Sequence, residues 1–373
     1  LKDKFSHKTA IMIAAGPSLN DCLDDLKKVR DQAVFIAVGQ SLKPLLNAGI
    51  EPDFVVAIDS DPITYQQFLE ADCPHTYLIA GDNIFTPIID KFPGRTFFFS
   101  NALQELAFWL DDFNALRGRL EAGGTVAVTA IDLAVYMGCE SVIFCGLDLA
   151  FQEDGTTHAT GSQWQNQRIK KGTIRVDGNY SKDVPTTKQM AVYISIMNIF
   201  LEQLVKAKST KFYNANTGGA KLESTELITP SQIIEKLKEN TDKCNLDSLY
   251  ITGEIPPADL CVEKMETTIS ELEVIEESAE ELLKLSVKLA GKSSRKTLAR
   301  MAKLDKIILK QEAAIQLLNC AVMSTCMHLI SGNVDDSDDQ QQLLYHQLKG
   351  GANWLIWLLS STRDKYISIN TEV

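Results

Sequence analysis

Short apolar runs recur along the first 220 residues, each followed by a polar or helix-like stretch. "TAIMIAA" (9–15), "AVFIAVG" (33–39), "DFVVAID" (53–59), "HTYLIAG" (75–81), "RTFFFSN" (95–101) and "SVIFCGLD" (141–148) read as strands, with "KFYNA" (211–215) as a short closing one. Most are continuous apolar segments rather than alternating ones, the pattern of strands buried on both faces. Helical patterns fall at 18–30, in "SLKPLLNAG", at 124–137 and at 186–206. Strands alternating with helices predict a doubly wound, Rossmann-like α/β domain with a mostly parallel sheet.

The pattern changes after Pro256-Pro257. Leu272, Ile275, Ala279, Leu282 and Leu289 recur at helical spacing, and further helices are predicted at 294–329 and 340–361 around a polar connector, "SGNVDDSDDQ" (331–340). A C-terminal α-helical bundle follows, giving domains 1–255 and 256–373. Trp354 and Trp357 are expected to anchor it on the first domain. "AGKSS" near 290 is no phosphate loop, because Ser286 stands where that motif needs Gly and a helix precedes it instead of a strand.

Composition narrows the partners. A net charge of −12 argues against nucleic acid, whose binding requires clustered Lys and Arg. The basic stretch Arg168, Lys170, Lys171 and Arg175 is short and reads as a solvated loop. Eight scattered cysteines without a Cys-x-x-Cys pair or zinc spacing imply free thiols in a reducing, cytoplasmic setting. There is no signal-peptide pattern and no run of 18 apolar residues, so no membrane span is expected. The first residue is Leu1 rather than Met, which marks the chain as a fragment or a processed product.

In doubly wound sheets, ligands bind beyond the carboxyl ends of the strands, where strand order reverses. Four segments qualify. In "AAGPSL", Gly16 admits close backbone approach, Pro17 fixes a turn, and Ser18 is placed to cap a helix whose amides favour an anion. A plain strand-to-helix turn is the competing reading. In "AIDSDP", Asp59 and Asp61 are placed for a ribose hydroxyl, for Mg²⁺, or merely to cap a turn before Pro62. Gly123, Gly124 and Thr125 open another helix, a second cradle for phosphate or carboxylate. "GLDLAFQEDGTTHATG" sets Asp148, Asp154, Thr156, Thr157 and His158 in a loop bounded by Gly155 and Gly161. An imidazole there can accept a proton, donate one, or pair with phosphate.

With "AAGPSL", "AGIEPDFVVAID", "GLDLAFQEDGTTHATG" and "YNANTGGAKLES" in this order, the chain resembles the motility accessory factors (Maf), which are flagellin glycosyltransferases. The resemblance covers residues 1–225 in detail, and the helical remainder in type only. It is also distantly similar to bacterial sialyltransferases that use CMP-sialic acid, through Gly16-Pro17-Ser18-Leu19, Gly123-Gly124-Thr125 and "SVIFCGLDLAF". The resemblance implies transfer of a nonulosonic acid (pseudaminic or legionaminic type) from its CMP conjugate to Ser or Thr hydroxyls of flagellin, with neither metal nor cofactor. It implies nucleotide-sugar contacts from Gly16, Pro17, Ser18, Gln40, Asp59, Gly124, Thr125 and Thr157, with His158 at the leaving phosphate or the acceptor proton and Asp148 orienting the loop.

The sialyltransferases have an Asn where this chain has Gly39 or Gln40, and a phosphate-contacting Tyr near His158. The helical domain would either dock flagellin, or complete the core and mediate self-association. Two other functions compete: an ATP- and Mg²⁺-dependent diphosphokinase like the 6-hydroxymethylpterin enzymes, which resemble the same core, and a flagellin-binding chaperone without catalysis.

Overall fold

A computed structural model describes residues 1–101, 109, 118–208, 210–238, 246, 257–289, 294–318 and 337–371. The chain divides into two units, residues 1–102 with 117–251, and residues 103–116 with 252–373. The second unit therefore takes in a short segment from within the first, which no break in the hydrophobic pattern announced.

In the first unit, the strands are β1 (Thr9–Ile13), β2 (Val34–Val38), β3 (Phe54–Ala57), β4 (Tyr77–Gly81), β5 (Thr96–Asn101), β6 (Gly118–Leu120), β7 (Ser141–Cys145), β10 (Lys211–Asn214) and β11 (Glu226–Leu227). They form a single sheet in the order β11-β10-β7-β1-β2-β3-β4-β5-β6, parallel throughout. Strands β2 to β6 extend to one side of β1, while β7, β10 and β11 extend to the other. The reversal point thus lies between β1 and β7. The expected doubly wound fold is the one observed.

Period-two alternation divides each central strand between two cores. Met12, Ile36, Phe54, Val56 and Phe144 face helices α3 (Val126–Tyr136) and α4 (Lys188–Lys208). Ile11, Ile13, Phe35, Val55 and Ile143 face helices α1 (Leu19–Lys28), α2 (Gly39–Asn47) and α5 (Pro230–Leu237). Helix α4 is long and apolar enough to cross a bilayer by length and composition. It nevertheless packs Ile194, Met197, Phe200, Leu201 and Leu204 into the sheet core.

Two 3₁₀ helices, Pro62–Gln67 and Thr86–Lys91, follow β3 and β4 where no element was expected. Each has Pro in its first two positions, a residue preset for a helical start. The polar stretch after β7 contains an antiparallel hairpin of β8 (Ile174–Val176) and β9 (Val184–Thr186). Its Arg175 pairs with Glu153 and Asp183, and Arg168 donates to the Gln165 and Gln167 carbonyls, so these two basic groups are engaged locally.

The second unit contains α6 (Ala258–Leu289), α7 (Arg295–Ile308) and α8 (Ser337–Thr371). Leu272, Ile275, Ala279 and Leu282 of the expected stripe are fully buried, while the Leu289 side chain lies outside the described residues. Trp109 is buried among these helices, and its Nε1 donates to Thr268 Oγ1 at 3.0 Å.

The expected helix over 294–329 is interrupted at 309–311 before a further helical turn at 312–318, and residues 319–329 lie outside the described residues. Its buried positions explain the break. Met301, Leu304 and Ile308 are followed by Ala314, Leu317 and Leu318. At 3.6 residues per turn, the step from 308 to 314 is about 120° out of phase, so an uninterrupted helix would turn its second half away from the core. Helix α8 begins inside the stretch read as connector, of which 331–336 lie outside the described residues, and continues past 361. Trp354 and Trp357 are 53% and 64% exposed.

Phe54 is fully buried at the centre of the sheet, edge-on to Phe5 with ring centroids 5.9 Å apart. Replacing it by Ala removes that contact and leaves a cavity. Phe54→Ala is expected to lower unfolding stability by about 3–5 kcal/mol, read from urea denaturation.

Candidate functional site

The site begins where β1 and β7 leave the sheet side by side. The Ala14 amide donates to the Cys145 carbonyl at 2.9 Å and the Gly16 amide to the Gly146 carbonyl at 2.7 Å, extending the pairing past the strand ends. One carboxylate then gathers the turns. Asp148, 4% exposed, accepts the Ser18 amide at 3.1 Å and also the Ser18 hydroxyl. Ser18 Oγ in turn accepts the Gly218 amide at 3.1 Å. The Asp148 carbonyl accepts the Ala220 amide at 2.8 Å. Asn216 clamps Leu147 from both sides, its Oδ1 accepting the amide at 3.1 Å and its Nδ2 donating to the carbonyl at 2.9 Å.

This closeness dictates glycine. A Cβ on Gly16 would lie 2.1 Å from Asp148 Oδ2, and one on Gly219, whose φ is +81°, 2.7 Å from Asp148 Cα. Such approaches are open only to a residue without a side chain.

The expected anion at the start of α1 is therefore internal. Ser18 makes no capping bond to its helix, because its hydroxyl and its amide both go to Asp148. The amides of Leu19, Asn20 and Asp21 turn back onto the carbonyls of Gly16, Pro17 and Ser18 at 3.0, 3.2 and 3.2 Å. Pro17 and Ser18 are buried. Burial pushes the Asp148 carboxyl from its ordinary 3.8 up to about 6, and the bonds from Ser18 offset only part of this.

Beside this knot lies a cavity of about 160 Å³, lined by Gly16, Gln40, Thr125, Asp148, Thr157 and His158 among others. The two glycine-marked helix beginnings thus reach one hollow, each in an unexpected way. Gly124, with φ +74°, is exposed and does not line the cavity, and a Cβ on it would meet the Ile196 side chain at 2.9 Å. It makes the turn, while Thr125 reaches the cavity and caps α3 by accepting the Ala127 amide at 3.4 Å. Asp59 lies in an adjoining hollow of about 80 Å³ that shares Val38, Gln40 and Val126 with the first. Burial, and secondarily the nearby Asp61, raise the Asp59 carboxyl above its ordinary value. Asp61 itself accepts the Ile63 amide at 2.9 Å and caps the 3₁₀ helix, the simplest of the roles weighed for it.

His158 is held from several directions. Its Nδ1 lies 2.8 Å from the buried Thr157 hydroxyl, which also donates to the Gln167 carbonyl at 3.4 Å. The next amides anchor the loop, Ala159 N to the Ala15 carbonyl at 2.8 Å and Thr160 N to Asn20 Oδ1 at 3.0 Å. Burial lowers the imidazole pKa below its ordinary 6.5. Among the described residues, no three or more His, Cys, Asp or Glu side chains converge as a metal-binding group.

Sequence reasoning assigned no role to Asn20, Asn216, Gly218 or Gly219. The Gly218-Gly219 pair in the turn four residues after a strand end was the available signal, since it marks a close backbone approach in the same way as Gly16.

Asp148 links the site to pH. Its folded value near 6 lies above the unfolded 3.8, so its contribution to stability is fully present below about pH 4 and is lost as pH rises through 6. Asp148→Asn is expected to remove a fall of up to about 3 kcal/mol across that window, measured as the difference between variant and native urea midpoints from pH 4 to 7. Gly16→Ala is expected to destabilise by about 1–3 kcal/mol or more in the same assay.

Residues 1–154 match a family model described as 6-hydroxymethylpterin diphosphokinase MptE-like. An uncharacterized protein of Treponema pallidum (strain Nichols) is 26% identical over 144 residues, covering 35% of this chain and 36% of that protein. The MAf glycosyltransferase from Magnetospirillum magneticum AMB-1 superposes with a TM-score of 0.62 at 16% identity, covering 99% of this chain and 57% of that one. Thiamine pyrophosphokinase from Bacillus subtilis aligns over 56% of this chain and 61% of its own at a TM-score of 0.28 and 16% identity. The chain thus spans little more than half of the MAf structure and about a third of the Treponema protein. The resemblance drawn from "AAGPSL" and "GLDLAFQEDGTTHATG" is borne out at the level of fold: along nearly its whole length, the chain has the architecture of a Maf glycosyltransferase.

Proposed function

We propose that the protein is a glycosyltransferase that moves a nonulosonic acid from its CMP conjugate to Ser or Thr hydroxyls of flagellin. The observation that carries this reading is the single cavity at the reversal point, where Gly16, Thr125 and His158 meet in a fold shared with a MAf glycosyltransferase. Departure of CMP builds positive charge on the sugar and negative charge on the phosphate, so donors aimed at that phosphate lower the barrier. In this reading the Thr125 hydroxyl is such a donor, Gly16 lets the nucleotide approach the backbone closely, and Asp59 in the adjoining hollow takes a nucleoside hydroxyl.

Lowered by burial, the His158 imidazole is neutral at pH 7 and suited to accept the acceptor's proton. When Thr157 donates to the Gln167 carbonyl, its oxygen takes the Nδ1 proton, and Nε2 carries the lone pair. Asp148 is a positioning residue, since its carboxylate is committed to Ser18.

The diphosphokinase alternative is supported by the family match over residues 1–154. Thermal-shift titration with CMP, and with ATP and Mg²⁺, separates the two. A stabilisation that follows RT ln(1 + [L]/Kd) for CMP alone supports the transferase, and one for ATP with Mg²⁺ alone favours the kinase.

His158→Ala is expected to keep CMP binding and to lose transfer by about 10²-fold or more, read by mass spectrometry of co-expressed flagellin with the nonulosonate pathway supplied. Native transfer should decline on an acidic limb centred below pH 6.5 that the variant lacks. Unmodified flagellin with the native protein, or undiminished transfer with the variant, counts against the respective claim.

A further inference from the structure

Beyond Gln40, the rim of the sheet continues into a third hollow of about 210 Å³. Gln40 lines this hollow, the Asp59 hollow and the Gly16–His158 cavity. The wall is carboxamide-rich. Gln40 Nε2 donates to Gln163 Oε1 at 3.3 Å, and Gln163 Nε2 donates to Gln66 Oε1 at 2.9 Å, joining α2, the loop after His158 and the first 3₁₀ helix. A fourth, Gln67, comes in where Gly39 makes room, since a Cβ on Gly39 would lie 2.1 Å from Gln67 Oε1. Gln40 Oε1 is buried with no hydrogen-bond partner among the described residues, an acceptor left open at one end of the relay. The charged residues of the wall, Lys43 and Glu70, pair with each other at 2.6 Å and so add no net charge.

Carboxamides both donate and accept without charge, the chemistry that matches neighbouring hydroxyls and N-acyl groups rather than a phosphate. We infer that this hollow is a subsite for the polyhydroxylated, uncharged part of a sugar, placed beside the cavity that would hold its activated end. The inference rests on the glycosyltransferase reading for that second end. In the competing view, the relay only ties the loop down, in which case its loss would disturb nucleotide binding and sugar binding alike.

The test is calorimetric titration of the full chain, native and carrying Gln66→Leu with Gln163→Leu, using three probes: CMP, CMP-N-acetylneuraminic acid and free N-acetylneuraminic acid. Neither side chain belongs to the buried cores, so the variant should keep the native Tm, and Gln66→Leu alone serves if it does not. Both sugar-bearing probes are expected to lose affinity by about tenfold in the double variant, with CMP unchanged within about twofold. Equal sugar affinity in variant and native protein, equal losses for all three probes, or no native binding of either sugar-bearing probe overturns the subsite. If CMP fails to bind while the free sugar acid binds and weakens in the variant, the subsite stands and the nucleotide reading falls.

Discussion

The site depends on one buried carboxylate. Asp148 holds the turn after β1 through Ser18, and the turn after β10 packs against its backbone, so the segments leaving three strands meet at one residue. A buried charge normally has to be paired or neutralised. Among the described residues, no basic side chain offsets it. Amide and hydroxyl donors do so in part, and the remaining cost appears as the elevated carboxyl pKa. Gly16 and Gly219 follow from this arrangement, because the carboxylate can be wrapped so closely only by residues without side chains.

Fixing these turns shapes the cavity beside them. Gly16 and Asp148 form one wall, and the loop that carries His158 is tied to the same structure by the Ala15 carbonyl and by Asn20. Thr125 enters from α3, on the opposite core of the sheet from α1. The reversal between β1 and β7 is what lets elements from both faces reach one hollow, the geometric reason that such sheets bind ligands there.

Much of the fold was legible because the central strands are buried on both faces and carry continuous apolar runs. Elements without such runs escaped. The β8–β9 hairpin lies on a polar stretch with little buried surface, and both 3₁₀ helices are too short for a periodic signal. In the site, glycines and the His loop were visible as local chemistry, yet their roles were not. Ser18 read as a helix cap because its partner lies 130 positions along the chain. Gly124 read as a cradle because sequence cannot distinguish a glycine that lines a cavity from one that only bends the chain toward it. The break at 309–311 escaped because Met301, Leu304, Ile308, Ile315 and Leu318 keep helical spacing in the sequence, and only the burial of Ala314 and Leu317 shows the change of phase.

The capture of Trp109 by the second unit has a practical consequence for anyone trimming this protein. Its indole is enclosed by helices that come more than 140 positions later, with its nitrogen engaged by Thr268. The bundle is therefore not a detachable tail. A truncated product ending at residue 257 would carry an indole stripped of the helices that enclose it, and loss of solubility in such a product would report on that orphaned ring before it reported on acceptor recognition.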